Sequence, residues 1–126
     1  MTEPAFLIDS NICIYLLEGC APAARARIEQ CSPGEVVTSA VAFAEVMVGA
    51  RSLQATAEAE ALFRTVSPLP FDEEAGAAYA RLPFRRGSFD RLIAAHALSL
   101  GLTLITNNPQ DFADVPDLKV ENWTKP

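Results

Sequence analysis

The chain has 126 residues, half of them apolar and 21% charged, with a formal net charge of −6. That length suits one domain, residues 1–126, around a single core, and the apolar share excludes a disordered chain. The surplus of acids argues against a general polyanion binder, because grip on phosphates comes from Lys and Arg.

In chain order, short apolar blocks alternate with longer blocks of helical period, separated by Gly, Pro, Ser and Asn. Strands are predicted at Ala5–Ile8, Glu35–Thr38, Leu69–Phe71, Leu102–Ile105 and Leu118–Glu121. Helices are predicted at Asn11–Leu17, Pro22–Gln30, Ala40–Ala50, Leu53–Val66, Glu73–Leu82 and Phe89–Leu100. Ser39, Asp72 and Ser88 stand where N-caps are needed for three of these helices. Strands joined by helical crossovers predict a mainly parallel sheet covered on both faces, a three-layer α/β/α domain.

The longest apolar stretches, Ala40–Ala50 and Leu92–Leu98, fall far short of the ~20 residues of a membrane span. The segment MTEPAFLID has neither a basic leader nor a long apolar run, so a cytoplasmic location is expected. Cys13, Cys20 and Cys31 are odd in number and lack paired spacing, which makes them ordinary small core residues rather than a disulfide or zinc framework. His96, the single histidine, reads as a satisfied core residue, which removes Ser-His-Asp and Cys-His mechanisms. Tyr79 and Trp123 read as packing residues.

Three acids carry the chemistry. Asp9 ends the strand Phe6-Leu7-Ile8 at the sheet edge where ligands bind in open parallel sheets; taken alone, it reads best as a helix N-cap. Glu45 stands in Ala40-Val-Ala-Phe-Ala-Glu-Val-Met-Val-Gly-Ala50, where no face looks solvated. An isolated buried carboxylate costs several kcal/mol, or neutralises, unless a cation or strong donors hold it; an arginine partner is the structural alternative. Asp90 opens an apolar helix and shares a face with Ile93, Ala94 and Ala97, so it points toward packed material; its plain alternative is a charge–dipole contact of ~0.3–1 kcal/mol.

Acids meeting at one sheet rim repel one another, and a divalent cation relieves that repulsion. All-oxygen ligation suits Mg2+ or Mn2+, and such a site supports phosphodiester hydrolysis. After Leu102–Ile105 the chain runs Thr106-Asn107-Asn108-Pro-Gln-Asp111-Phe112. Thr106 and Asn107 are placed to orient ligands and Asp111 or Asn108 to complete the shell, and an ordinary Asn-Pro turn explains any one of them equally well. Arg81, Arg85, Arg86 and Arg91, four of the ten basic residues, lie within eleven positions and suggest a local basic rim.

Taken together, Leu7-Ile-Asp-Ser10-Asn11, Val41-Ala-Phe-Ala-Glu45 with Gly49, Phe89-Asp-Arg-Leu-Ile-Ala-Ala-His-Ala-Leu98, Leu104-Ile-Thr-Asn-Asn-Pro-Gln-Asp-Phe112 and Leu118-Lys-Val-Glu-Asn-Trp123 resemble the PIN-domain ribonucleases. The likeness is greatest to VapC-type toxins of bacterial toxin–antitoxin pairs, and the segments keep family order over nearly the whole chain. The resemblance implies a five-stranded parallel sheet, with Asp9, Glu45 and Asp90 holding Mg2+ or Mn2+. It also implies RNA cleavage, homodimer formation, and inhibition by a VapB-type antitoxin, with operator DNA reached only through that antitoxin. In the family a fourth acid follows the last core strand; here Asp111 fits it better than Asn108, with Ser10, Asn11, Thr106 and Asn107 in support. The segment between Tyr79 and Asp90 is shorter than in many relatives, and Arg85 and Arg86 within it are candidates for RNA or antitoxin contact. The alternatives are a metal-dependent nuclease acting on DNA or in RNA maturation, and a catalytically inactive PIN-like binding module. A haloacid-dehalogenase-type phosphatase is discounted, because it needs an acid where this chain has Asn11.

Overall fold

Leu7 and Ile8 are adjacent in sequence, and both are completely buried, in different apolar clusters. A strand whose alternate side chains are both buried needs cover on both faces, which is the condition for a parallel sheet between helical layers. The computed structural model describes residues 2–83 and 88–125. Its strands are β1 (Phe6–Ile8), β2 (Val36–Ser39), β3 (Pro68–Leu69), β4 (Thr103–Ile105) and β5 (Val120–Glu121), all parallel, in the order β3-β2-β1-β4-β5. The helices are α1 (Ser10–Glu18), α2 (Pro22–Gln30), α3 (Ala40–Gly49), α4 (Leu53–Thr65), α5 (Glu73–Ala80) and α6 (Phe89–Leu100). This is the expected three-layer architecture.

On one side, Ile8, Val36 and Ile105 pack with Ile12, Cys13 and Leu16 of α1, Val46 of α3 and Phe63 of α4. On the other, Leu7, Val37 and Leu104 pack with Ala42 of α3 and Ile93, Ala94 and Ala97 of α6. The caps act as read from the sequence: Ser39, Asp72 and Ser88 accept hydrogen bonds from the N–H groups of Val41, Ala75 and Arg91. Among the described residues no helix is long and apolar enough to cross a membrane.

Several boundaries differ from expectation for local reasons. α5 stops at Ala80 rather than Leu82, because Leu82 precedes Pro83 and the residue before a proline is driven out of helical conformation. β3 occupies Pro68–Leu69 rather than Leu69–Phe71, because Pro70 has no N–H for the ladder. β5 begins at Val120 rather than Leu118, after Asp117 turns the chain with a left-handed φ of 66°. A 3-10 turn, Pro109–Phe112, forms where only a polar turn was expected.

Of the three cysteines only Cys13 is a fully buried core residue; Cys31 is half-buried at the margin of the same cluster, and Cys20, beyond the end of α1, is exposed. Trp123 packs as predicted: it is buried, meets Phe6 edge-on at 4.8 Å, donates to Glu121 at 2.9 Å and lies under the Arg27 guanidinium. It pins the segment after edge strand β5 onto β1. Trp123→Ala is expected to cost about 3–5 kcal/mol, read as a lower urea midpoint at unchanged m-value.

Candidate active site

The site begins with register. β1 pairs Ile8 with Thr38 on one side and Ile8 with Ile105 on the other, so the next residues, Asp9, Ser39 and Thr106, stand side by side at the C-terminal edge of the sheet. Consecutive strands extend from β1 toward β3 and the chain then crosses to β4, so this edge lies at the topological switch point, where open α/β sheets form their binding crevice.

Asp9 is 3% exposed. One carboxylate oxygen does cap α1, accepting from the Ile12 N–H at 2.9 Å, so the cap and the site use the same side chain. The Thr106 hydroxyl also bonds the carboxylate, while its oxygen accepts the Asn108 N–H at 3.2 Å. Burial pushes the Asp9 carboxyl up to about 6 against these stabilising bonds, and the negative charges of Asp90 and Glu45 push the same way.

Glu45 departs from the expectation of an all-buried helix. α3 exposes Ala44, Val48 and Gly49, and Glu45 is half-buried, because nothing among the described residues covers that side of the helix. The Ser10 hydroxyl donates to its Oε1 at 2.9 Å. Partial burial raises the Glu45 carboxyl, Ser10 opposes this, and Asp90 adds to it. Asp90 is likewise half-buried, on a helix whose Ile93, Ala94 and Ala97 are fully buried. Burial raises its carboxyl, and the charge of Asp111 raises it further.

The four acids thus form a chain of mutual repulsion, Glu45 and Asp9 with Asp90, and Asp90 with Asp111. Asp111 is exposed on the 3-10 turn and its carboxylate accepts a hydrogen bond from the Asn108 side chain. Asn107 turns elsewhere, donating to the Tyr15 hydroxyl at 3.0 Å, and Asn11 lies exposed on α1.

The ion pairs among the described residues, Arg27 with Glu121 and Arg91 with Asp114, leave the four acids out. Arg91 is 2% exposed and bound to Asp114, so it cannot belong to the basic rim suggested by its sequence neighbours: its place on α6 faces packed protein. Arg85 and Arg86 lie outside the described residues.

Two contacts had no local sequence signal. His96 Nδ1 meets the Ser39 hydroxyl at 2.8 Å across 57 residues, tying α6 to the cap of α3. Burial lowers its pKa, against Asp72 and the Pro70 carbonyl, so the ring is a neutral core residue as expected. Tyr15 and Asn107 meet across 92 residues.

Among the described residues no group of three or more His, Cys, Asp or Glu side chains forms a ready-made metal cage. The donor set is nonetheless all-oxygen, and its like charges have no protein cation among the described ion pairs, a chemistry that fits a hard divalent ion rather than zinc.

Residues 6–118 match the PIN domain family. The chain is 32% identical to the tRNA(fMet)-specific endonuclease VapC of Shigella flexneri, over 94% of this chain and 98% of that protein. Among solved structures, DNA-bound VapBC from Salmonella typhimurium superimposes with a TM-score of 0.85 at 26% identity, over 95% of this chain and 98% of that one. A toxin–antitoxin complex from Klebsiella pneumoniae superimposes with a TM-score of 0.73 at 26% identity, over 90% and 95%.

Asp9 sets a pH dependence of stability. Its folded pKa, about 6, lies above the ordinary 3.8, so the fold favours the protonated form. The stabilising contribution is complete below pH 3.8 and lost as pH rises through 6, a change of roughly 3 kcal/mol. With chelator present, the stability of Asp9→Asn relative to wild type is expected to rise by about that amount between pH 4 and 7. Urea titrations at each pH test it, and a pH-independent difference would contradict it.

Proposed function

This chain belongs to the PIN domain family, and we propose that it is a Mg2+- or Mn2+-dependent endoribonuclease acting as the toxin of a toxin–antitoxin pair. The observation that carries the reading is the set of carboxylates around Asp9: a nearly inaccessible acid at the end of the central strand, raised by its burial and further by two neighbouring acids, and joined by no protein cation in the described ion pairs. The S. flexneri relative, named as an endonuclease, supports RNA as substrate, and the K. pneumoniae complex supports an antitoxin as partner.

Asp9 and Asp90 are the principal cation ligands in this proposal, Glu45 a ligand or an orienting base, and Asp111 the fourth carboxylate. When bound, the ion supplies Lewis-acid polarisation of the scissile phosphoryl oxygen and activates the attacking water. The protein's own part is to hold acids together against repulsion. The Ile12 N–H and the Thr106 hydroxyl fix the Asp9 carboxylate, and Ser10 fixes Glu45. The half-exposure of Glu45 and Asp90 leaves an approach for a phosphate backbone that the buried Asp9 alone would not offer.

A chain with net charge −6 needs a local cationic contact for RNA. With Arg91 engaged by Asp114, Arg85 and Arg86 are the proposed contacts, for RNA phosphates or for acids of the antitoxin. The proposed homodimer is supported by an apolar face of Val41, Ala44, Val48, Phe89 and Leu92 beside Glu45, on which Val48 is 68% and Phe89 58% exposed.

Asp9→Ala is expected to abolish Mg2+-dependent RNA cleavage, a loss of at least a hundredfold in initial rate, while retaining the far-UV circular dichroism of the parent. Undiminished cleavage in that variant would refute the ligand assignment. Induced expression of the wild type without an antitoxin should arrest growth and Asp9→Ala should not; wild-type expression that leaves growth unchanged favours a nuclease of another biological role.

A further inference from the structure

We propose that Arg91 and Asp114 act as a clamp that positions Asp111 against Asp90. Resting on the cation-site reading above, it identifies two positioning residues that touch neither the ion nor the RNA.

Arg91 is 2% exposed, a rare location for a guanidinium, and burial of such a charge requires strong, well-shaped partners. It has them. Nη1 donates to Asp114 Oδ1 at 2.8 Å and Nη2 to Asp114 Oδ2 at 3.1 Å, a bidentate fork, and Nη2 also donates to the Pro83 carbonyl at 3.1 Å. A long hydrophobic side chain would fill the same space more cheaply, so the pair calls for a role in specifying geometry.

The pair joins the two segments whose separation matters. Arg91 follows Asp90 in the first turn of α6, and Asp114 lies three residues beyond Asp111. Between Asn108 and Val115 the backbone is tightly wound, with bonds from the N–H groups of Asp111, Ala113 and Val115 to the carbonyls of Asn108, Gln110 and Phe112. Phe112 and Val115 are buried in the cluster that holds Ile93, Ala94 and Ala97 of α6. The segment therefore moves as one body, and holding Asp114 to α6 holds Asp111 as well. Asn108 grips the Asp111 carboxylate from the other end of the turn.

Without such a hold, Asp111 would swing away. It is exposed, and its charge is felt at Asp90, so both solvation and repulsion favour separation when no cation is bound. Outer residues that orient ligands in this way typically change metal affinity by 10–100-fold when removed.

The test is calorimetric titration with Mn2+ at a temperature where each protein is folded by circular dichroism. It compares wild type, Asp111→Asn, Asp114→Ala, Arg91→Lys and the double variant Asp111→Asn/Asp114→Ala. Asp114→Ala and Arg91→Lys are expected to weaken Mn2+ binding about tenfold or more, and Asp114→Ala to cause no further loss once Asp111 is Asn. A merely structural pair would lower the melting temperature and leave Mn2+ affinity unchanged, which overturns the proposal; so does an equal loss in the Asp111→Asn background. The Asp114 side chain is 35% exposed, so Asp114→Ala decides the question even if Arg91→Lys fails to fold. A wild type that binds no Mn2+ overturns the cation-site reading itself, whereas wild-type binding with an unaffected Asp114→Ala overturns the clamp alone.

Discussion

Everything at the site depends on β1 being held between two parallel neighbours with both faces buried. Leu7 and Ile8 have no exposure, the Ile8 carbonyl accepts the Thr38 hydroxyl at 2.6 Å, and the Asp9 N–H donates to the Ile105 carbonyl at 3.1 Å. A strand so enclosed gives its last residue no route back to water. Asp9 therefore stays in a poorly solvated crevice, where a charge is expensive and the influence of other charges is large.

The surrounding polar groups organise this cost and do not remove it. The Ile12 N–H and the Thr106 hydroxyl orient the Asp9 carboxylate, and Ser10 orients Glu45. Three of the arginines are occupied elsewhere: Arg25 donates to the Leu16 carbonyl, Arg27 sits over Trp123, and the buried Arg91 holds Asp114. His96 is neutral and bonded to Ser39. Preorganised acids left without a protein cation are unfavourable for the empty fold and suited to an ion that binds only the folded state. An ion that bound there as proposed would stabilise the folded protein by an amount that grows with the logarithm of its concentration above the dissociation constant.

Local strain between stability and function is the signature expected of a working site, where the rules that hold elsewhere in a fold are broken together. In this chain the caps, the core alternation and the crossovers all agree with one another. The departures from charge balance gather at the C-terminal ends of β1 and β4, at the start of α6 and at Glu45 on α3.

The sequence by itself determined the layer architecture and the caps, because alternating burial and capping chemistry are local properties read from neighbouring residues. It also pointed to Asp9, Glu45 and Asp90, since acids inside apolar periods conflict with their own surroundings. Tertiary structure alone decided their ranking. Glu45 looked the most enclosed from its apolar neighbours, yet α3 leaves one side uncovered and Glu45 half-exposed, whereas Asp9, which read as a simple cap, proved to be 3% exposed. The fate of the arginines was equally invisible: Arg91 resembled its basic neighbours in sequence but turns into the protein toward Asp114, 23 positions away. Burial and pairing over such separations depend on which elements the sheet brings together, and no window of adjacent residues contains that information.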